Sequence, residues 1–298
     1  MKEIADVEVK ALSFPCAGEQ LMGIVHMPGS SYSQSIGLLC VVAGGPQYRA
    51  GVGRGMVAMG RQLAGAGIPV MRFDYRGMGD SSGAFRGFQW IQEDLEAAVA
   101  AFKAAVPALE GVVLWGGCDA ASAIMIHAHH LPDVRAIALG NPWVSNETTQ
   151  AVVARKHYLS RLREKSFWMK VFRFEYNPLD YGRSALTWFG RKFSSDTSNK
   201  DAQGSSGGNF IERMRLGLQR FDGPVLLVMS GASLFSREFD ELARIDAAWG
   251  QVVKDRISER IVLPEADQTF SNEGARAEVN RILQNWLING VKLKKVRK

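Results

Sequence analysis

The sequence has little cysteine and no long hydrophobic run, and both shortages restrict what the chain can be. Its three cysteines, among 298 residues, are Cys16, Cys40 and Cys118. They are too few and too scattered for a disulfide framework or a CxxC-type metal site. No stretch of about 18 apolar residues is present, which argues against a transmembrane helix. The first residues also lack the basic-then-apolar order of a secretory signal. We therefore expect a cytoplasmic protein, and we expect no metal or other cofactor.

Net positive charge is scarce outside the C-terminal end of the chain. The net charge is +6. Five basic residues stand in the tail 291–298, namely Lys292, Lys294, Lys295, Arg297 and Lys298. The excess is therefore mainly a property of the tail, and it does not indicate a nucleic-acid-binding surface on the fold. We expect a solvated tail, with weak peripheral contact to anionic lipid headgroups as the alternative.

The order of predicted strands and helices is typical of a mostly parallel sheet with helices on both faces, an α/β fold. Short β-branched runs alternate with helical stretches in two parts of the chain. The predicted strands are 5–13, 20–27, 36–43, 69–73, 112–115, 134–139, 224–229 and 260–263, the first two forming an opening pair. The predicted helices are 55–66, 90–105, 120–129, 237–249 and 275–287.

The alternation stops between residues 144 and 215. This segment is rich in basic and aromatic residues, and it includes a Ser- and Gly-rich stretch at 193–210 that predicts a loop. We predict a core formed by 1–143 and 216–290, and an inserted helical or irregular cap at 144–215. Ligands of open α/β sheets bind at the carboxyl ends of the strands, so an insertion of this kind is expected over that edge.

A turn rich in glycine and charge follows the predicted strand 69–73. Its sequence is DYRGMGDS at 74–81. Asp74 and Arg76 can tie neighbouring loops together, and Gly77 and Gly79 let the backbone turn where a Cβ would clash. We interpret these four residues as structural support for a site.

The turn after the predicted strand 112–115 carries a cysteine in the pattern Gly116-x-Cys118-x-Ala120. A sharp strand-to-helix turn holds a nucleophile in a strained conformation, and small residues two positions before and after it avoid clashes. The following helix would aim its N-terminus at Cys118, which lowers the pKa of a thiol. The alternative is a structural cysteine at a tight turn.

The segment that follows strand 36–43 offers donors for a developing oxyanion. Pro46 has no N–H group, so the donor there would come from Gly45 or Gln47, and Asp119 would supply the second backbone N–H. The alternative is a turn that serves packing only.

Together these segments resemble α/β-hydrolases and, within them, the exosortase A system-associated hydrolases of the "hydrolase 1" type. The matching segments are GGPQYR at 44–49, RFDYRGMGDS at 72–81, LWGGCDAAS at 114–122, NPW at 141–143 and KHY at 156–158. The resemblance covers most of the chain. It implies an α/β-hydrolase fold, acyl transfer on an ester or thioester with Cys118 as nucleophile, and association with bacterial exosortase and exopolysaccharide systems. It does not identify the substrate.

The chain departs from the family pattern at the base and the acid. The family has His in an A-D-H-T-F-S segment, where this sequence has Gln268, and Asp in a G-x-D-L segment, where it has Ser233. Glutamine cannot accept and return a proton at neutral pH, so water would lack a general base when it attacks the acyl-enzyme. His157, in the predicted cap, is a possible cap contact and the one histidine that we consider as a substitute base.

Two functions therefore stay open. The protein is either a hydrolase whose turnover is slow or a non-catalytic pseudo-hydrolase that binds a ligand or serves as a scaffold. For either function we expect a small-molecule or lipid-like acyl partner.

Overall fold

The computed structural model describes residues 7–29, 35–43, 48–145 and 207–291, with side chains from residue 210 onward in the last range. The chain divides into two compact units, Met1–Ser145 with Phe210–Lys298, and Asn146–Asn209. The first of these units contains the sheet, and the description below concerns its described residues. The predicted roles of Gly45, Gln47 and His157, most of the predicted cap, and residues 292–298 of the tail lie outside them.

Eight strands form one sheet in the order β1-β2-β4-β3-β5-β6-β7-β8. The strands are β1 Val7–Cys16, β2 Glu19–Pro28, β3 Ile36–Val41, β4 Val70–Asp74, β5 Gly111–Gly117, β6 Val134–Gly140, β7 Val225–Ser230 and β8 Glu259–Leu263. β1 and β2 pair antiparallel, β2 pairs antiparallel with β4, and every later pairing is parallel. The mostly parallel sheet and its opening antiparallel pair agree with the prediction.

The described residues include seven α-helices. They are α1 Gly55–Gly65, α2 Gln92–Ala105, α3 Asp119–His127, α4 Gly207–Arg220, α5 Leu234–Ile245, α6 Ala247–Arg256 and α7 Glu273–Asn289. Short 3-10 helices cover Val52–Arg54, Phe88–Trp90 and Ala128–His130. Within these residues, no helix combines the length and the apolar character needed to cross a bilayer.

The single helix predicted at 237–249 is wrong, because the chain forms α5 and α6 there. The break is at Asp246, whose backbone is extended and whose side chain accepts hydrogen bonds from the N–H groups of Ala248 and Trp249, at 2.9 and 3.1 Å. An Asp side chain that caps new N–H groups starts a second helix. The apolar pattern runs across this break, so periodicity alone did not reveal it.

The loop predicted at 193–210 is wrong for its last four residues, because α4 begins at Gly207; residues 193–206 lie outside the described ranges. Phe210, Met214 and Leu218 are each at most 3% exposed and lie four residues apart on one face of the helix. This spacing is the helical one. The glycines at 207 and 208 hid the start of the helix, since glycine disfavours a helix interior.

Two hydrophobic clusters cover the two faces of the sheet. One cluster joins the sheet to α2, α3, α4, α5 and α6, and the other joins it to α1 and α7. β3 shows why both form: Leu39 and Val41 point into the first cluster, whereas Leu38 and Cys40 point into the second. A strand buried on both faces needs a continuous apolar run, which is the pattern that predicted it.

Candidate functional site

Cys118 occupies the turn between β5 and α3. Its φ is 56° and its ψ is −124°, a conformation that is uncommon for a residue with a side chain. Backbone hydrogen bonds stabilise this turn. The Cys118 N–H donates to the carbonyl of Gly140 at 2.8 Å, and the Cys118 carbonyl accepts from the Trp143 N–H at 3.2 Å. The position is therefore held by the end of β6 as well as by β5 and α3.

Small residues on either side of Cys118 let the chain turn this sharply. A Cβ added to Gly116 would lie 2.8 Å from Cδ1 of Ile124 and 2.9 Å from the backbone carbon of Ala120. Ala120 is itself only 1% exposed. The Gly-x-Cys-x-Ala spacing thus reflects the contact of β5 with the first turn of α3.

The surroundings of the Cys118 thiol oppose its ionisation. Burial raises the pKa of the thiol, and the negative charge of Asp119 raises that pKa further. Hydrogen bonds from the Gln268 side chain and from the Asp119 backbone act in the opposite direction, but they do not outweigh the burial. The Asp119 N–H at the start of α3 therefore lowers the pKa of this thiol as expected, but burial and the Asp119 charge make the net shift upward.

Gln268 and Ser233 lie beside each other and next to the thiol. Ser233 follows β7 and begins α5 as its N-cap, and its hydroxyl donates a hydrogen bond to the side-chain oxygen of Gln268. Hydrogen bonding by the Gln268 side chain lowers the pKa of the Cys118 thiol, and the Gln268 amide nitrogen also donates to the Asn141 carbonyl at 3.4 Å. The three side chains form a hydrogen-bonded series in which neither Gln268 nor Ser233 can take up a proton at neutral pH.

Asn141 joins the loops that carry these side chains, a role that was not predicted from the sequence. Its side-chain NH₂ donates to the Ser230 hydroxyl at 2.6 Å and to the Gln268 carbonyl at 2.7 Å. Its side-chain oxygen accepts from the Ser230 N–H at 2.7 Å and from the Ser236 hydroxyl at 2.8 Å. Asn141 is fully buried with a φ of 47°, which Asn tolerates better than most residues. Its position in the NPW segment, directly after a predicted strand, was the available signal.

The glycine-rich turn at 74–81 is held by two buried carboxylates. Asp74 is fully buried and accepts hydrogen bonds from the Arg49 side chain and, at 3.2 Å, from the Asp80 N–H. A Cβ at Gly79 would lie 2.3 Å from an Asp74 oxygen, so only glycine fits there.

Arg76 extends this support to α2. Its guanidinium bonds the buried Asp94 at 2.8 to 3.1 Å and the exposed Glu93 at 2.7 Å. These hydrogen bonds hold the pKa of the Arg76 guanidinium above its usual value. At Gly77 the φ is 73°, and an added Cβ would lie 2.2 Å from the Phe85 N–H nitrogen.

Cys118, Asp119 and Gln268 line a cavity of about 200 Å³. Most of its wall is apolar, formed by Val52, Met56, Met59, Trp115, Phe270 and Val279. Arg276 and Asn280, near the start of α7, add polar groups to the wall. Such a cavity, apolar with few polar groups, is typical of a small-molecule site. Among the residues that the structure describes, no group of three or more His, Cys, Asp or Glu could hold a metal ion.

No family model matches this sequence, and a search of curated proteins finds no relative. Solved structures do match. An esterase from Pyrococcus furiosus has a TM-score of 0.58 at 15% identity, over 94% of either chain. An α/β serine hydrolase homologue from Coxiella burnetii has a TM-score of 0.55 at 14% identity, over 95% of this chain and 97% of that one. A dienelactone hydrolase from Anabaena variabilis has a TM-score of 0.57 at 13% identity, over 96% and 99%. The chain therefore has the α/β-hydrolase fold that its sequence predicted.

Proposed function

We propose that this protein is an acyl-transfer enzyme of the hydrolase type, which cleaves an ester or thioester through Cys118 and turns over slowly. The observation that carries the proposal is the position of the thiol. It lies at a strained strand-to-helix turn, in an apolar cavity, with the Asp119 N–H and the Gln268 side chain bonded to it. The esterases and hydrolases of the same fold support this choice of reaction.

The first half of the reaction, acylation of Cys118, needs only the thiol, a backbone N–H donor and water. The Cys118 thiol loses its proton to water, and the thiolate attacks the carbonyl carbon of the substrate to form a carbon–sulfur bond. In this proposal the Asp119 N–H stabilises the oxyanion, as backbone donors do in acyl transfer. The bond to the leaving alcohol or thiol then breaks, and the leaving group takes a proton from water. The product of this half is an acyl thioester on Cys118.

The second half is the slow one. Water must attack the thioester, release the acid and return the thiol, and a general base normally accelerates such a step about 10²- to 10⁴-fold. We assign Gln268 to the position from which a base would act, and its hydrogen-bond partner is Ser233 rather than a carboxylate. We therefore expect the acyl-enzyme to accumulate.

The second candidate function is binding without catalysis. It is favoured by the raised pKa of the Cys118 thiol, which leaves little thiolate at neutral pH, and by the absence of a proton acceptor at residues 233 and 268. In that case the cavity would hold a small-molecule or lipid-like ligand, and the thiol would be a spectator.

Hydrolysis of p-nitrophenyl acetate at pH 8 distinguishes the two candidate functions. The enzyme should release p-nitrophenol in a burst of up to one equivalent per chain, followed by slow turnover, and an acetyl group should be found on Cys118 by mass spectrometry. Cys118→Ala should lose both phases.

The matched control is Cys16→Ala, because Cys16 is buried at the end of β1 and does not line the cavity. That variant should keep the burst. If the unmodified protein shows no burst and no turnover, the enzyme function is refuted and binding without catalysis remains.

The resemblance to exosortase A system-associated hydrolases supports a wider part of the proposal. We propose a cytoplasmic bacterial protein that works alongside exopolysaccharide and sorting systems, with at most peripheral membrane contact through its basic tail. Binding to anionic liposomes that disappears when residues 292–298 are deleted is the expected result for such contact.

A further inference from the structure

A second concave surface adjoins the cavity of Cys118. This arginine groove, which we define by Arg54, Arg61 and Arg276, is an open depression of about 410 Å³ between the start of α7 and one side of α1. Gly55, Arg276 and Asn280 line the groove and the cavity alike, so the two spaces meet at these residues.

The charge of the arginine groove is mainly positive. Three guanidinium groups line it against one carboxylate, that of Glu273. Within the described ranges, none of the three arginines forms an ion pair. The other polar side chains of the wall, Gln62 and Asn280, are hydrogen-bonded to each other at 3.1 Å. The guanidinium groups are therefore the groups available for a negatively charged ligand.

Arg276 is held where the groove meets the cavity. Its guanidinium donates to the carbonyl of Gly53 at 3.3 Å. A Cβ at Gly53 would lie 2.5 Å from that nitrogen, so the side chain lies against the backbone in space that a larger residue would fill. Because a guanidinium has five N–H donors, this one bond leaves most of its donors for a ligand.

We propose that the ligand is an amphipathic acyl compound with an anionic group, a carboxylate or a phosphate, at the end remote from the reacting carbonyl. The carbonyl lies at Cys118, the hydrocarbon covers the apolar wall, and the anion binds in the arginine groove. Guanidinium groups match the planar, bidentate geometry of carboxylate and phosphate. This inference rests on the proposed function for the placement of the carbonyl, and on the groove alone for the anion.

Two esters of equal chain length test the inference. The rate of the p-nitrophenol burst is measured with p-nitrophenyl hexanoate, which is neutral, and with mono-p-nitrophenyl adipate, which ends in a carboxylate. The unmodified protein should prefer the charged ester. We define the preference as the burst rate with the charged ester divided by the burst rate with the neutral ester. The triple variant R54Q/R61Q/R276Q should lose about tenfold or more of that preference, as expected for the loss of charge-assisted hydrogen bonds.

The control is Arg281→Gln, which removes one positive charge from the same helix α7. Arg281 is paired with Glu278 and does not line the groove, so the preference should remain. The inference is overturned if the triple variant prefers the charged ester as strongly as the unmodified protein does. It is also overturned if Arg281→Gln loses as much of that preference as the triple variant.

A binding measurement separates this inference from the proposed function. Hexyl phosphate is titrated into Cys118→Ala, with and without the three arginine substitutions. If neither ester gives a burst but hexyl phosphate binds about tenfold more weakly to the substituted protein, the proposed function fails and the anion site stands. If the burst rates are equal for the two esters and the arginine substitutions do not change hexyl phosphate binding, the anion site fails and the proposed function stands. Arginine-dependent binding to phosphatidylglycerol vesicles without hexyl phosphate binding would assign the groove to a membrane surface and also overturn the inference.

Discussion

At the scale of single residues, the described part of the site brings together Cys118, Gln268 and Ser233, and neither Gln268 nor Ser233 can take up a proton at neutral pH. Gln268 uses both ends of its amide, one toward the thiol and the other toward the Ser233 hydroxyl. The positions of Gln268 and Ser233 were predicted from the resemblance to α/β-hydrolases, and each follows a predicted strand at the edge where a parallel sheet collects its site. The pKa of the thiol was not, since its burial and the charge of Asp119 depend on the folded surroundings.

Restoring a base and an acid should therefore restore turnover. In Gln268→His with Ser233→Asp, the imidazole would lie beside the thiol and the carboxylate beside the imidazole. We expect steady-state hydrolysis of p-nitrophenyl acetate to rise about 10²- to 10⁴-fold. The histidine alone should give less, because nothing would orient it or stabilise its positive charge. An unchanged steady state in a folded double variant would contradict the assigned positions.

The ionisation of Cys118 gives a second prediction. Asp119 raises the pKa of the thiol and the Gln268 hydrogen bond lowers it. In the pH profile of alkylation by iodoacetamide, Asp119→Asn should shift the midpoint to lower pH and Gln268→Ala should shift it to higher pH. The direction of each shift is the test, and shifts of the same sign in both variants would refute the account.

At the scale of elements, the turn from β5 into α3 determines where the thiol lies. This turn was predictable, because it needs small residues at fixed spacing around residue 118 and these are visible in the sequence. The hydrogen bonds of Asn141 could not be predicted, because they join it to residues such as Ser230, 89 positions away along the chain. The break between α5 and α6 was also missed, because a local Asp cap overrode a continuous apolar pattern.

The same turn gives a prediction with a matched control one residue away. Gly116→Ala should lower the free energy of unfolding by about 1–3 kcal/mol, the usual cost of overpacking, because its Cβ would press on the backbone of Ala120. Gly117→Ala should cost far less, since its Cβ would meet the carbonyl of Gly140 at an ordinary 3.8 Å. Urea unfolding monitored by tryptophan fluorescence measures both, and equal losses would be inconsistent with the packing described for the turn.

At the scale of the whole molecule, a sheet covered on both faces buries a histidine on either side. His26 lies against Gly60 of α1, and its Nε2 accepts a hydrogen bond from Arg72 at 3.0 Å. The Nε2 of His127, at the end of α3, lies 3.1 Å from the carbonyl oxygen of Gln89. Burial, with nearby arginine charges, lowers the pKa of each imidazole to about 4. No function was predicted for either residue from the sequence, and their lowered pKa values predict a contribution to acid sensitivity.

The sign of that sensitivity follows from the lowered pKa values. Below about pH 6.5 the unfolded chain binds a proton at each histidine, whereas the native protein does so only near pH 4. Stability is therefore lost as the pH falls through this window, by about 2 kcal/mol per histidine at pH 5.

His26→Gln and His127→Gln should each reduce the difference in unfolding free energy between pH 7 and pH 5 by about that amount. Urea unfolding at the two pH values measures it, and the other ionisations cancel in the comparison. A pH dependence identical to that of the unmodified protein would show that the acid sensitivity lies elsewhere.

The hydrogen bonds of Asn141 have a consequence for how such a protein changes over generations. Asn141 holds the segment at 267–268 through the Gln268 carbonyl, and Ser230 holds it through the Asp267 carbonyl. Neither bond depends on which side chain stands at position 268. Evolution can therefore exchange the side chain beside Cys118 while the loop keeps its shape, so position 268 can vary without a cost to the scaffold that carries it.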